Sequence, residues 1–405
     1  MHSFNVDDKL KDRTIIREAL IKTCKAKKKK RVGPNRKYKQ AQCILAHLNE
    51  YTEKTLGIVL AFEAKKLAEE RGDTVSPEVL EKSFAPRKCV TFTTKDGPDK
   101  KTREINSVPL FPDQVIHQLV IIAAQPALMR GMYEYSCGSI PGRGIHKGKQ
   151  YLEKYINHHL ENNKAAIKYG AQLDAEKCYR SFAHSYLKGL LRKKFRGKLF
   201  LWIIFKIIDS YNYEIRDGEA YGLPIGFATS QWLCNFGMTP LDHFIKEVLG
   251  VEFYLRYMDD MIIFARNKKK LREAVKAIAV FLEPVGLRIK HTWQVFRFDY
   301  IDHQGRRRGR PFDTLGFRFF RDKLILRKRL ALAIRRSVAK VGKTGKGVTA
   351  HAARSLMSRL GWLRHCDSYN FYNKYVKPFI DIKYLKEVIR SESREHNYAG
   401  CPVYA

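Results

Sequence analysis

Acidic residues are scarce in this 405-residue chain: 41 Asp and Glu stand against 77 Lys and Arg, a formal charge of +36. A field of that sign concentrates polyanions, so nucleic acid is the first partner implied, with an RNA-packing protein or an anionic membrane surface as competing readings. Long hydrophobic runs are missing as well. The longest, residues 199–208, is interrupted by Lys206 and is too short to span a bilayer. The N-terminus has no apolar leader core, so neither secretion nor a membrane partner is expected. The eight cysteines include no C-x₂-C pair. That spacing argues against a zinc site and for reduced thiols in a cytoplasmic protein. There is no internal repeat, and no low-complexity segment beyond basic patches such as Arg306-Arg307-Arg308. What is present, 44% hydrophobic and 12% aromatic residues, belongs to a folded chain of two or three subdomains.

Residues 1–95 read as a basic helical region, densest at Lys27, Lys28, Lys29, Lys30 and Arg31. Such a run is either a solvated face or a phosphate-binding arm, and in a chain this basic an arm is expected. Lys95-Asp96-Gly97-Pro98 is turn chemistry between two β-like segments, 89–94 and 103–105, and predicts a hairpin. Apolar spacing predicts helices over 111–128 and 146–157, separated by the glycine-rich stretch 138–144. A short strand, 171–173, ends at Asp174 and leads into a helix through Leu191. The loop 222–226 precedes a helix over 229–248. Strands at 253–257 and 261–264 flank an acidic turn, and 268–282 is an amphipathic helix. After Leu315-Gly316-Phe317 the chain reads as basic and helical to about Arg394. The sum is an α+β fold with a palm-like layer.

The chemistry starts at Tyr257-Met258-Asp259-Asp260. Two adjacent carboxylates at a tight turn repel each other, and Mg²⁺ suits such a site because it binds through one or two carboxylates plus substrate phosphates. Alone, the tetrapeptide is equally an Asp-rich turn, and Asp174 alone is equally a helix N-cap. Together, a strand-end Asp and a two-Asp hairpin can place three carboxylates around two metal ions about 4 Å apart.

The ordered set resembles the palm motifs of reverse transcriptases, particularly the bacterial group of group II intron, retron and diversity-generating enzymes. Asp174 with Tyr179 and Ser181 is similar to the first motif. The stretch 222–226, followed by Thr229-Ser230-Gln231, is similar to the second, and Tyr257 to Asp260 to the third. Gly286-Leu287 with Lys290 resembles the fourth, and Leu315-Gly316-Phe317 the primer-grip turn. Arg103-Glu104-Ile105 and Ser139 to His146, including Arg143, resemble finger motifs. The resemblance implies a right-hand polymerase: fingers and palm over 96–320, and a helical thumb and tail over 321–405. It implies catalytic and metal-binding roles for Asp174, Asp259 and Asp260, with two Mg²⁺ ions per site and Mn²⁺ able to substitute. Template RNA, a cDNA product and dNTPs are the implied partners, with an accessory protein or a non-coding RNA as further ones. Nucleic-acid contacts are expected at Lys27 to Arg31, Arg143, Leu315 and Gly316.

For the nucleotide, Tyr179 is expected to lie under the sugar and exclude a 2′-hydroxyl. Arg103, with Lys101 second, would grip the triphosphate through paired donors. Lys290 would protonate pyrophosphate. Gly226, Ile225 and Gln231 complete the expected substrate set. Ile225 stands where reverse transcriptases commonly have Gln, and Gln231 where they have Pro. That combination resembles diversity-generating enzymes, which copy an RNA with errors at adenines. Ala175, Glu176 and Cys178 depart from the usual first motif. The expected function is therefore an RNA-directed DNA polymerase, with a defence-associated reverse transcriptase or an intron-type maturase as alternatives. Only about 85 residues follow Phe320, which disfavours a maturase with an extra RNA-binding domain. Tyr179 disfavours an RNA-making polymerase.

Overall fold

The computed structural model describes residues 3–25, 27, 36–96, 101–162 and 167–398. Lys28 to Arg31 lie outside the described residues, as does the side chain of Lys101. At the centre is a five-stranded sheet in the order Ser136–Cys137, Phe253–Tyr257, Asp260–Ala265, Tyr169–Asp174, Gln294–Arg297. The first pair is parallel and the other three are antiparallel.

The central strands are buried on both faces, and their period-two alternation sorts side chains between two cores. Ala171, Leu173, Tyr254, Met261 and Ile263 enter one core. Phe253, Leu255, Ile262 and Phe264 enter the other. Helices cover the first face, and helix Ile145–Asn162 with a basic C-terminal part covers the second. That part comprises a three-stranded sheet, Phe312–Thr314, Phe317–Phe319 and Leu324–Leu326, and the helices Lys328–Lys343, Ala350–Leu360, Tyr369–Tyr375 and Ile382–Tyr398.

The described residues ahead of the hairpin are built into the same body. Helix Arg13–Lys25 buries Ile16, Ala19, Leu20, Thr23 and Cys24, a stripe at helical spacing. Helix Leu48–Arg71 buries Thr52, Thr55, Leu56, Val59 and Phe62 in the same way. Both stripes join Ile116, Leu119, Phe200 and Ile203 in one core, each large aliphatic or aromatic side chain contributing roughly 1.5–3 kcal/mol. Asp7 adds a long-range helix cap: its carboxylate accepts from the amides of Leu199 (3.2 Å) and Phe200 (2.9 Å) at the start of helix Lys198–Asp209.

The chain departs from the sequence-based expectation in several places. The helix expected to run from Asp174 to Leu191 is broken into Cys178–Ser181 and His184–Lys194. The main chain between them is used by other segments: Phe182 O accepts from Gly222 N (2.9 Å), and Ala183 N donates to Val285 O (3.2 Å). The helix expected from residue 111 is regular only over Val115–Met129, because Phe111 is extended. Finally, strands Gln294–Arg297, Tyr300–Ile301, Arg307–Arg308 and Leu324–Leu326 occupy stretches that carry no apolar alternation long enough to announce them. The expected hairpin is present as Val90–Asp96 paired with Lys101–Ser107.

Candidate active site

Antiparallel pairing sets Asp174 directly opposite Asp260 at the ends of neighbouring strands. Asp259 sits at the turn before Asp260, its carbonyl accepting from Ala175 N at 3.2 Å. All three carboxylates therefore lie on one edge of the sheet. The turn is tight enough to put Met258 at φ +56°, and its amide is held by Cys137 O at 3.1 Å. Gly138, the next residue after Cys137, leaves the space this needs: a Cβ there would lie 2.9 Å from Met258 Cγ.

Beneath the turn runs a buried polar network that the sequence did not disclose. Arg256 is wholly buried, and its Nε and Nη2 donate to Asp242 Oδ1 and Oδ2, both at 2.7 Å. Its Nη1 donates to Asn235 Oδ1 and to the carbonyl of Met258, both at 3.0 Å. Burial alone would lower the pKa of this guanidinium, but the adjoining Asp242 carboxylate more than offsets it and holds the group charged. Asn235 Nδ2 in turn donates to Gly138 O at 3.0 Å. The network thus fixes both sides of the turn from below.

Burial, followed by repulsion from Asp259 and Asp174, pushes the Asp260 carboxyl up to about 7. Asp259 is raised as well, first by burial and then by Asp174, with Lys290 and Arg103 pulling the other way. Asp174 Oδ1 is buried with no hydrogen-bond partner, and its Oδ2 accepts from Lys290 Nζ at 2.5 Å. A crowded set of carboxylates, with the Asp260 pKa pushed up and Asp174 Oδ1 left without a partner, is what a divalent cation relieves, so the residues fit a metal. In this conformation the Lys290 ammonium supplies the positive charge. Among the described residues, no three acidic, His or Cys side chains are already closed around one point.

Lys290 reaches Asp174 because the segment before it pairs with the first motif: Glu176 N donates to Arg288 O (2.7 Å), and Lys290 N to Asp174 O (2.9 Å). A cavity of about 300 Å³ opens here, lined by Asp174, Asp260, Lys290, Trp293, Gln294 and Arg310. Trp293 and Arg310 were not anticipated. Arg310 is steered by Gln294 Oε1, which accepts from its Nη1 at 2.8 Å, and by the ring of Phe296 at 4.8 Å.

Of the other expected residues, Arg103 lies close enough to Asp259 to lower its pKa, and Asp259 close enough to Tyr179 to raise that of its hydroxyl. Burial raises the Tyr179 hydroxyl pKa, so it stays protonated. Its carbonyl accepts from Leu223 N at 2.5 Å, which joins the first motif to the 222–226 loop. Ile225 is half-buried and its carbonyl accepts from Asn106 N at 2.7 Å. Gly226, at φ +119°, passes so close to Asn106 that a Cβ would meet its carbonyl oxygen at 2.4 Å. This contact ties the loop to the Arg103 strand. Gln231 is exposed on the first turn of helix Ala228–His243. Lys101 opens the strand that carries Arg103.

The expected nucleic-acid contacts are spread out. Arg143 is half-buried and donates through Nη1 to Tyr133 O at 2.9 Å, closing its own loop. Leu315 and Gly316, at φ +54° and +86°, form the turn between Phe312–Thr314 and Phe317–Phe319, against the Trp362 ring. Lys27 follows helix Arg13–Lys25, its amide bonded to Cys24 O at 2.9 Å.

The family profile for reverse transcriptase (RNA-dependent DNA polymerase) matches residues 94–319, the stretch that contains every element of this site. The chain belongs to the reverse transcriptase family. Its fold is that of a right-hand polymerase with mixed helices and sheets. Solved structures similar to this reverse transcriptase include apo telomerase from Candida tropicalis, at 12% identity and a TM-score of 0.46, covering 95% of this chain and 81% of that one. A form of the same telomerase truncated from its C-terminal domain gives 13%, 0.42, 66% and 59%. Telomerase from Candida albicans in complex with a TWJ fragment of telomeric RNA gives 12%, 0.44, 91% and 73%. This chain thus spans 59% of the truncated telomerase's length. No curated protein sequence matches the reverse transcriptase. Among its described residues, no helix is long and apolar enough to cross a membrane.

Proposed function

We propose that this reverse transcriptase synthesises cDNA on an RNA template by two-metal nucleotidyl transfer at Asp174, Asp259 and Asp260. The observation that carries the reading is the register that sets Asp174 opposite Asp260, with Asp259 one residue away at the turn. Bound divalent ions, Mg²⁺ in this reading, would lower the pKa of the primer 3′-hydroxyl and offset charge on the leaving pyrophosphate. Asp174, Asp259 and Asp260 would hold those ions. Lys290, whose ammonium bonds Asp174, would be the proton donor to the pyrophosphate. Arg103 offers its guanidinium to the triphosphate, and Tyr179 sits under the sugar and selects deoxynucleotides.

For the biological role, the reading supported best is template copying for a diversity-generating retroelement. It rests on Ile225 and Gln231 in the second motif. An isoleucine held by its main chain to Asn106 offers the template base shape and no side-chain hydrogen bond. A defence-associated enzyme copying a non-coding RNA is the alternative, and a cytoplasmic location suits either.

The test of the reaction is primer extension on a defined RNA template with Mg²⁺ and either dNTPs or rNTPs. Extension with dNTPs that stops when the template is omitted supports the proposal. Extension by rNTPs alone, or none with either, contradicts it.

A further inference from the structure

The C-terminal helices carry a groove that the polymerase reading does not use. It is a cavity of about 540 Å³ beside helix Lys328–Lys343, bounded on its other side by Lys374, Tyr375 and Phe379. That volume falls within the roughly 300–1,000 Å³ typical of ligand pockets. Its base is apolar, with Val338 fully buried and Leu332 half-buried. Three cations, Arg335, Arg336 and Lys374, are exposed around it, and no lining residue is acidic.

Two aromatic rings complete the lining. The Arg335 guanidinium lies 4.1 Å from the centroid of the Tyr375 ring, and the Lys374 ammonium 5.6 Å from the same ring. Phe379 is 58% exposed, a large apolar surface left in water beside an open cavity.

A ligand that satisfies this lining must carry a flat face for the rings and a negative charge for the cations. An unpaired nucleotide has both, because its base is free to stack and its phosphate is ionised. A base-paired duplex hides its base faces, and an acidic peptide lacks a planar group at each unit. The charge of the whole chain, +36, favours the same polyanion.

We infer that this groove binds an unpaired nucleotide of single-stranded RNA, its base stacked on Phe379 beside the guanidinium that Arg335 lays on Tyr375, and its phosphate held by Arg336 and Lys374. The groove shares no lining residue with the cavity at the aspartates and needs no catalytic step. The inference therefore survives or fails independently of the polymerase reading.

The test uses the full chain and fluorescence anisotropy with a short unstructured RNA, its abasic counterpart and a blunt RNA duplex. Phe379→Ala should weaken binding of the base-bearing strand on the order of tenfold and leave the abasic strand and the duplex unchanged. Phe379→Leu, which keeps the apolar bulk and removes the ring, should lose as much. Arg336→Gln should instead lower the slope of log K against log[salt] by about 0.7, the value for one phosphate on a single strand. The inference is overturned if Phe379→Leu binds like wild type. Equal weakening of the base-bearing and abasic strands by Phe379→Ala would overturn it too. Binding of phosphatidylglycerol vesicles that depends on Phe379, without such dependence for RNA, would assign the groove to a membrane and overturn it likewise.

Discussion

Arg256, buried under the aspartate turn, donates from Nε and Nη2 to the two carboxylate oxygens of Asp242, each at 2.7 Å. Tyr254 OH adds a bond to Asp242 Oδ1 at 2.8 Å, so the carboxylate is fully engaged. Replacing Asp242 by Ala would strand a buried guanidinium, which costs about 3–5 kcal/mol of stability. Asp242→Asn, which keeps the shape, should cost less. Nucleotide incorporation should fall with both, since Arg256 also holds the Met258 carbonyl at the turn. Chemical denaturation alongside primer extension checks this. An Asp242→Ala protein as stable as wild type would remove the network from the account.

That network also marks the limit of what the sequence could disclose. Asp259 and Asp260 announced themselves because adjacent carboxylates between apolar strands are an unusual local pattern, and Asp174 gained meaning from them. Arg256, Asp242 and Asn235 have no local pattern. A strand arginine, a helix aspartate and a helix asparagine become a unit only when the Phe253–Tyr257 strand packs on the Ala228–His243 helix. Trp293 and Arg310 were hidden for a related reason, since the short strand that positions them has no apolar alternation. Most helices were legible from their spacing. The break at Phe182–Ala183 was not, because it comes from bonds to Gly222 and Val285, far along the chain.

The Asp260 carboxyl gives a pH prediction. Without metal, the folded protein keeps a proton on Asp260 up to about pH 7, whereas an ordinary aspartate releases it near 3.8. Between those values the folded state binds more protons than the unfolded state, so stability falls as pH rises through that window. A divalent cation displaces the proton and should stabilise most at the upper end. In chelator, the thermal midpoint should therefore decline towards pH 7, and Mg²⁺ should reduce the decline. Asp260→Asn in chelator should show a smaller decline. An identical decline in wild type and Asp260→Asn would refute the burial argument.

The Tyr179 ring packs against the core, and its carbonyl accepts from Leu223 N at 2.5 Å, which ties its main chain to the 222–226 loop. If that ring excludes a 2′-hydroxyl, Tyr179→Val should raise rNTP relative to dNTP use by on the order of ten- to two-hundredfold. Competitive single-nucleotide incorporation measures the ratio. A wild type that uses both sugars equally would defeat the gate.

Ile225 tests the diversity-generating reading. A side-chain hydrogen bond of the kind a glutamine could add is worth roughly 0.5–1.5 kcal/mol, a factor of about two to ten in selectivity. Ile225→Gln should lower misincorporation by that factor, with the largest effect opposite template adenine. Sequencing of cDNA made from a defined RNA gives the spectrum. Wild-type errors that are rare and even across the four template bases would favour the defence role instead.

The central claim is that Asp174, Asp259 and Asp260 act together as the metal-binding centre of an RNA-templated polymerase. Single-turnover dNTP incorporation on a primed RNA template, comparing wild type with Asp259→Asn, tests it most directly. The substitution keeps the side chain's shape and removes one charge from a crowded edge, so the thermal midpoint in chelator should be equal or higher and RNA affinity unchanged. The account predicts that incorporation falls by several orders of magnitude while fold and binding persist. Incorporation within about tenfold of wild type, a barrier change of only about 1.4 kcal/mol, would contradict it.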